Sequence, residues 1–438
     1  MSATPASAAD AAASIRTPAS GSATASRVVA IDVARWLAIV GMMSAHLLSS
    51  VAASWTGGTD AQAHVADVVI AGANGNASSL FAVLAGVSLV LATRSLLARG
   101  ARGAALRSVV GRAIVVGAVG VVLASTAPPV YVVLNFLAFA MVVAAPLLLA
   151  PSWVVGAVAV ALWLGGSQIA LAVREWRFGE GIYRVSDDLD GSPWAALVDL
   201  VATGEYPAVT WVPMLAVGIL VARAVLAARS TNRARVLGLG LLGVGAVVGT
   251  AATVVSQRVM DAEADAWAAE QGFTELLPWL LRFGTGTPPD ASWWWQATAI
   301  PHTGTIGDVA RGVGVGVAVI GALVALLPPG SRLPRALAPV RAAGAAPFTI
   351  YTLHVCALLA ASVAWGLAGG GEVAVGAGGE TTLPPWYVAG FGILGLHVLG
   401  TLVLGALLAR ADAKGPLERI ASAVARSFAA PRDESLTR

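Results

Sequence analysis

Lysine and cysteine are nearly missing from this chain, and charge of either sign is scarce. Of its 438 residues 12% are charged, against about 25% in soluble domains. The single cysteine, Cys356, excludes a disulfide scaffold and any cysteine-based zinc site. Lying in an apolar run, it reads as a small packing residue. The one lysine, Lys414, is followed by Gly415, so no phosphate-cradling P-loop can be written. Spacings such as His-Glu-x-x-His are absent and no metal is expected; only histidines drawn from separate helices would leave that route open. The pI near 9.4 comes from scattered arginines that never form a dense run with interleaved aromatics, which argues against nucleic acid as a partner. Gly238 to Gly243, GLGLLG, has the literal dinucleotide-loop pattern. It sits inside an apolar run with no strand before it and no acidic residue about 20 positions on. These glycines, like Gly312 and Gly316, instead suit close helix approach.

What is abundant is apolar. Hydrophobic residues make up 57% of the chain and the mean hydropathy is +0.78, the composition of a polytopic membrane protein. Runs near the roughly 20 residues needed to cross a bilayer fall at 33–53, 77–97, 109–126, 129–149, 152–173, 207–228, 235–256, 306–327, 342–366 and 386–409. Assigning alternate gaps to opposite sides puts 21 Lys and Arg with 6 Asp and Glu on one side, and 6 with 18 on the other. The positive-inside rule therefore predicts cytoplasmic termini. The predicted fold class is an all-α integral membrane bundle of ten helices over 27–410. An Ala/Ser/Thr-rich tail at 1–26, read as disordered and cytoplasmic, precedes it, and a cytoplasmic tail at 411–438 follows. Two long outer loops, 174–206 and 257–305, are acidic and rich in tryptophan. Trp293, Trp294 and Trp295 suit either stacking on a sugar ring or an interfacial aromatic belt. Arginine outnumbers lysine 26 to 1, which fits a GC-rich bacterial genome.

Ionisable groups inside spans are costly and mark function by default. Asp32 and Arg35 lie one turn apart, and His46 lies three turns beyond Arg35 on the same helical face. At 1.5 Å per residue His46 is about 15 Å beyond Trp36, near the middle of a core about 30 Å thick. His354 reaches a similar depth in the ninth span, with Tyr351 one turn before it on the same face. His302 marks the outer mouth of the eighth span, with Asp308 and Arg311 close behind, and His64 falls in the first outer loop. His397 in the tenth span has no polar companions in sequence and reads as structural. Imidazoles suit proton transfer at neutral pH, and the arginine-rich cytoplasmic loops near 94–112 and 223–235 suit phosphate-bearing ligands.

Six stretches resemble one family. AIDVARWLAIVGMMSAHL (residues 30–47) and SSLFAVLAGVSLVL (78–91) are similar to the first- and second-span signatures of the heparan-alpha-glucosaminide N-acetyltransferase-like membrane proteins. GEYPAVTW, PHTGT, PFTIYTLHV and KGPLERI follow in order over 204–420. The resemblance implies a transmembrane acyltransferase fold of ten or eleven helices. It also implies an acetyl group taken from cytoplasmic acetyl-CoA and delivered to a sugar amine on the far side, with a histidine at the centre. Two positions depart from the pattern: Trp36 stands where the family usually has glycine, and Asn74-Gly75-Asn76 where its bacterial branch often has Asp-Gly-Arg. The family's essential histidine precedes the second-span signature, and His64 lies at about that distance.

The expected function is therefore acyl transfer from cytoplasmic acyl-CoA, most simply acetyl-CoA, to a glycan or lipid-linked acceptor at the outer face of a bacterial plasma membrane. Candidate catalytic residues are His46, His354, His302 and His64. Candidate substrate-binding residues are Asp32, Arg35, Ser78, Ser79, Tyr206 and Tyr351. Membrane lipids are expected neighbours and a homodimer is open. A proton-coupled transporter using the same histidines as a relay is the alternative, though no paired broken helices mark the two halves. An assembly protein without chemistry is a third reading, for which the polar line would be an unnecessary cost.

Overall fold

A computed structural model describes residues 28–52, 59–179, 192–228, 230–282, 284, 286–369 and 384–430; the expected N-terminal tail lies outside them. The described residues form helices and no strand. In chain order these are α1 (Val29–Ala52), α2 (Asp60–Ala73), α3 (Asn76–Ala98), α4 (Arg102–Ala124), α5 (Leu134–Ala144), α6 (Ser152–Phe178), α7 (Pro193–Val198), α8 (Ala208–Ala227), α9 (Thr231–Gln271), α10 (Leu277–Leu280), α11 (Trp293–Ala297), α12 (Ile306–Leu326), α13 (Ala338–Gly344), α14 (Pro347–Leu367), α15 (Phe391–Arg410) and α16 (Pro416–Ala429).

Nine helical stretches among the described residues are long and apolar enough to cross a membrane, as an all-α polytopic bundle requires. The tenth expected span, 129–149, is shorter than its apolar run. Pro128 and Pro129 delay its start, and α5 with the 3₁₀ turn Ala145–Leu148 covers about 22 Å, less than the roughly 30 Å core. It still returns the chain beside α4: Gly120 packs on Leu134 and Asn135, and Gly117 on Ala138. At its far end Arg223 of α8 donates to the Leu147 and Leu148 carbonyls at 3.0 and 3.1 Å.

Several stretches expected to be loop are helical, α7 and the π turn Asp199–Thr203 within 174–206 among them, and two shape the fold most. The first is α2, started by a capping box in which Thr59 and Gln62 satisfy each other's backbone N–H groups. The second is the outer third of α9, whose 41 residues span about 60 Å. The stretch 257–305 thus begins as helix and builds a separate outer core of Ala264, Trp267, Leu277, Leu280, Trp294, Trp295 and Ile300. Trp294 and Trp295 are 3% and 0% exposed, while Trp293 is 68% exposed. Two of the three tryptophans are thus packing residues of this cap, and only Trp293 remains at the surface. Their rings stack on one another and meet Trp267 edge-on, which fixes the cap to the end of α9.

Small residues seat α9 against α12. A Cβ on Gly238 or Gly245 would strike the backbone of α12 at Gly321–Ala325 or Gly314–Ala318, so the glycines of the GLGLLG stretch split. Gly238 enables close approach, and Gly240 and Gly243 meet nothing. Gly312 and Gly316 serve the opposite face of α12, against Ser79 and Leu80 of α3. The expected C-terminal tail contains the amphipathic α16, whose Phe428 packs on Gly111 of α4. Its Glu418 accepts the Phe348 and Thr349 N–H groups at 2.7 and 3.1 Å and the Thr349 hydroxyl at 2.6 Å. KGPLERI therefore caps the start of PFTIYTLHV.

Candidate active site

Polar groups form three tiers through the bundle. At the end carrying the basic loops, Arg35 pairs with Asp32 at 3.0 Å and donates to Ser88 Oγ of α3 at 2.8 Å. The one-turn spacing of Asp32 and Arg35 gives this pair, so neither reaches His46 directly. Arg112 of α4 lies close enough to feel the charges of Arg35 and Glu418, yet it makes no hydrogen bond or ion pair with a described residue. A half-buried guanidinium whose carboxylate, Glu418, acts only at longer range costs stability and suits an anionic ligand.

The middle tier is a row of imidazoles from three helices. His46 Nδ1 and His354 Nε2 are 3.0 Å apart, with the rings parallel at 5.3 Å between centroids. His397 of α15 meets His354 edge-on at 4.8 Å, so the histidine read as isolated has a polar neighbour that sequence alone could not show. Among the described residues the Nδ1 atoms of His354 and His397 have no hydrogen-bond partner. Tyr351 is turned the other way, its hydroxyl accepting the Val133 N–H at 3.3 Å and thereby tying α14 to the start of α5.

Three of the sequence stretches converge on the outer tier. SSLF from α3, GEYPAVTW leading into α8 and PHTGT leading into α12 line one small cavity of about 10 Å³, with Ser78, Ser79, Glu205, Thr210, His302 and Asp308 in its wall. That is room for about one water. The 302–304 turn is held by Asp308, whose carboxylate accepts the Gly304 N–H at 3.1 Å and lies within electrostatic reach of the His302 and Thr303 N–H groups. His302 itself has a left-handed φ of 65°, an uncommon conformation for a residue with a Cβ. Tyr206 sits edge-on to His302 at 5.4 Å and to Trp211 at 5.2 Å.

Burial shapes the chemistry of this tier. It pushes the Glu205 carboxyl up to about 7, against the opposing pull of Arg174, so the group is half ionised at neutral pH. Burial, followed by His46 and then Arg311, holds His302 down at about 4, so its imidazole is neutral in the working range. The Tyr206 hydroxyl is pushed well above its ordinary value by burial and stays protonated. The influence of His46 on His302 brings the middle and outer tiers within electrostatic reach. His64, by contrast, lies exposed on α2 and makes no contact with the other imidazoles. Glu205 carries no signal in sequence beyond its place beside Tyr206, and it becomes a candidate only through the cavity.

The sequence model of the family described as "Heparan-alpha-glucosaminide N-acetyltransferase, catalytic" matches residues 27–254. The chain belongs to the heparan-alpha-glucosaminide N-acetyltransferase family. No curated protein and no solved structure matches it. Family membership makes the chain a multi-pass membrane acyltransferase of the N-acetyltransferase type, and enzymes of this family use acetyl-CoA as donor. The part matched to the heparan-alpha-glucosaminide N-acetyltransferase family holds Asp32, Arg35, His46, Ser78, Ser79, Glu205 and Tyr206. His302, Tyr351, His354 and His397 lie beyond it and join the same three tiers. Asn74-Gly75-Asn76 lacks the charges common in the bacterial branch, but Arg311 of α12 reaches that turn and donates to the Asn74 carbonyl at 3.0 Å.

Proposed function

We propose that the protein moves an acetyl group from cytoplasmic acetyl-CoA to an acceptor amine or hydroxyl at the outer face of a bacterial plasma membrane. The observation that carries this reading is the continuity of the three tiers. An unpaired Arg112 lies beside Arg35 at the basic end, paired imidazoles lie at mid-depth, and a polar cavity lined by His302 and Glu205 lies at the other end. Arg112 and Arg35 would hold the donor's phosphates, and the donor would supply the acetyl thioester.

His46 acts as the general base. With its proton on Nδ1, donated toward His354 Nε2, the lone pair of Nε2 is free to accept the proton of the acceptor nucleophile, and Nε2 makes no hydrogen bond with a described residue. As that proton moves to His46, the acceptor's heteroatom bonds to the acetyl carbon and the carbon–sulfur bond breaks, leaving thiolate. The imidazolium then returns its proton to the sulfur. His354 and His397 hold His46 in place and share the transient charge. Ser78, Ser79 and Tyr206 orient the acceptor, and neutral His302 offers it a hydrogen bond. His64 has no part in this arrangement.

Single-turnover transfer in liposomes tests the reading, with acetyl-CoA enclosed on the cytoplasmic side and an amino sugar supplied outside. Acetylated sugar should appear outside only when donor and acceptor are on these opposite sides. Transport of intact donor or acceptor without transfer would favour a transporter and refute the proposal.

A further inference from the structure

Beside the His302 cavity lies a second, much larger one. Its volume is about 630 Å³, within the range of small-molecule sites. It is a cleft walled by α9, α12 and the turn joining α2 to α3. Its polarity is graded: Gly245, Ala246, Val315 and Val319 form one end, and Asn76, Gln257 and Arg311 the other. From Val319 to Arg311 the helix rises about 12 Å. By the charge asymmetry of the loops the polar end faces outward, so the gradient follows that of an outer lipid leaflet.

Two polar groups at that end await a partner. Asn76 is 6% exposed; its Nδ2 donates to the Gly72 carbonyl at 3.1 Å, and its Oδ1 has no hydrogen bond. Arg311 spends Nη2 on Asn74, and its Nε has no hydrogen-bond partner among the described residues. Asp308, one turn earlier, lies within electrostatic reach of Arg311 but makes no ion pair with it, its carboxylate accepting the Gly304 N–H instead. A guanidinium at the edge of the hydrocarbon is costly unless an anion meets it, and headgroup phosphates lie at that depth. The wall toward the His302 cavity is thin. At Gly75, with φ of 72°, a Cβ would come within 2.9 Å of Arg311 Nη2 and 3.0 Å of Pro301.

We propose that this cleft holds the hydrocarbon chain of the acceptor, which makes the acceptor a phosphate-bearing lipid-linked glycan. Its phosphate meets Arg311, its chain lies between α9 and α12, and its sugar lies against the wall of Gly75 and Pro301 that separates the cleft from the water-sized space beside His302. This presupposes the acyl transfer proposed above. A water-soluble sugar would have no use for the apolar end of the cleft.

The first test needs no catalysis. Decyl phosphate, decanol and inorganic phosphate compete with a fluorescent alkyl phosphate for the purified full-length protein in neutral detergent. Decyl phosphate should compete about tenfold better than either other compound, the worth of one charge-assisted contact. Arg311→Gln should erase its advantage over decanol. Thr250→Trp fills the cleft from α9 and should weaken decyl phosphate and decanol alike. Inorganic phosphate competing as well as decyl phosphate, or Thr250→Trp without effect, overturns the cleft. Phosphatidylglycerol competing as well as decyl phosphate makes it a general lipid site and overturns the acceptor assignment.

The second test compares an alkyl-phosphate-linked amino sugar with its methyl glycoside in the liposome assay. The lipid-linked sugar should show a KM lower by about tenfold. Thr250→Trp should raise that KM and leave the methyl glycoside unchanged. Equal use of both sugars, unmoved by Thr250→Trp, overturns the cleft alone. Alkyl-phosphate binding with no acetylation of either sugar overturns the acyl-transfer reading and the acceptor assignment, while the lipid-phosphate site stands.

Discussion

The two ends of the polar column satisfy their buried groups differently. At the basic end Asp32 and Arg35 answer each other, Ser88 takes the second guanidinium nitrogen, and Glu418 caps α14 with three hydrogen bonds. Half-buried Arg112 makes no ion pair with a described carboxylate. The middle and outer tiers instead hold His302, neutral, and Glu205, half ionised, together with the Nδ1 atoms of His354 and His397, which have no hydrogen-bond partner among the described residues. Paired charges at a helix end hold position with little net gain. Neutral, under-bonded groups can still accept a proton or a ligand. The basic end therefore suits anchoring and donor recognition, and the other two tiers suit chemistry.

The largest effect should come from breaking the middle tier. His46→Ala is expected to lower single-turnover transfer by about 10² to 10⁴, the usual worth of a general base, with unchanged elution from size exclusion. His64→Ala, on the exposed face of α2, should change the rate only slightly. If His64→Ala alone abolishes transfer, the base assigned here is wrong.

The Glu205 carboxyl gives a pH signature of intermediate size. The folded state keeps this proton up to about pH 7, whereas the unfolded chain releases it near 4.5. Stability is therefore lost as pH rises from about 4.5 to 7 and is level above that. The difference corresponds to about 3 kcal/mol, an order-of-magnitude figure. Glu205→Gln should melt with wild type near pH 4.5 and above it at pH 8. Melting curves that stay parallel across that range would mean that this carboxyl is solvated.

The smallest predicted effect sharpens the contrast from the basic end. Arg112→Gln removes a cation that no described carboxylate pairs with. It should leave the melting temperature unchanged or raise it, while raising the KM for acetyl-CoA about tenfold. A large loss of stability would show that Arg112 is structural and that the two ends do not differ as argued.

Much of this was readable along the chain. Hydropathy located the spans, with eight of the ten expected runs coinciding closely with long helices. The one-turn spacing of Asp32 and Arg35 announced their pair. The depth match of His46 and His354 anticipated their contact. These are local properties: helix rise, side-chain period and charge per loop follow from neighbouring residues. What failed was reading by composition where packing decides. The first third of the acidic outer loop proved to be helix because α9 finds a hydrophobic cap in Trp294 and Trp295, and α5 is short because two prolines precede it.

By itself, then, the sequence determined an all-α membrane bundle and a polar face on its first helix. Tertiary structure alone decided which imidazoles touch, that His397 joins them and His64 does not, and that Glu205 meets His302 across one water-sized space. The reason is rotational. The rotation of each helix, set where two backbones lie against each other as at Gly344 on Asp32 of α1 and Gly405 of α15 on Pro339, carries a side chain into the column or out to lipid. No pattern within one span encodes that angle.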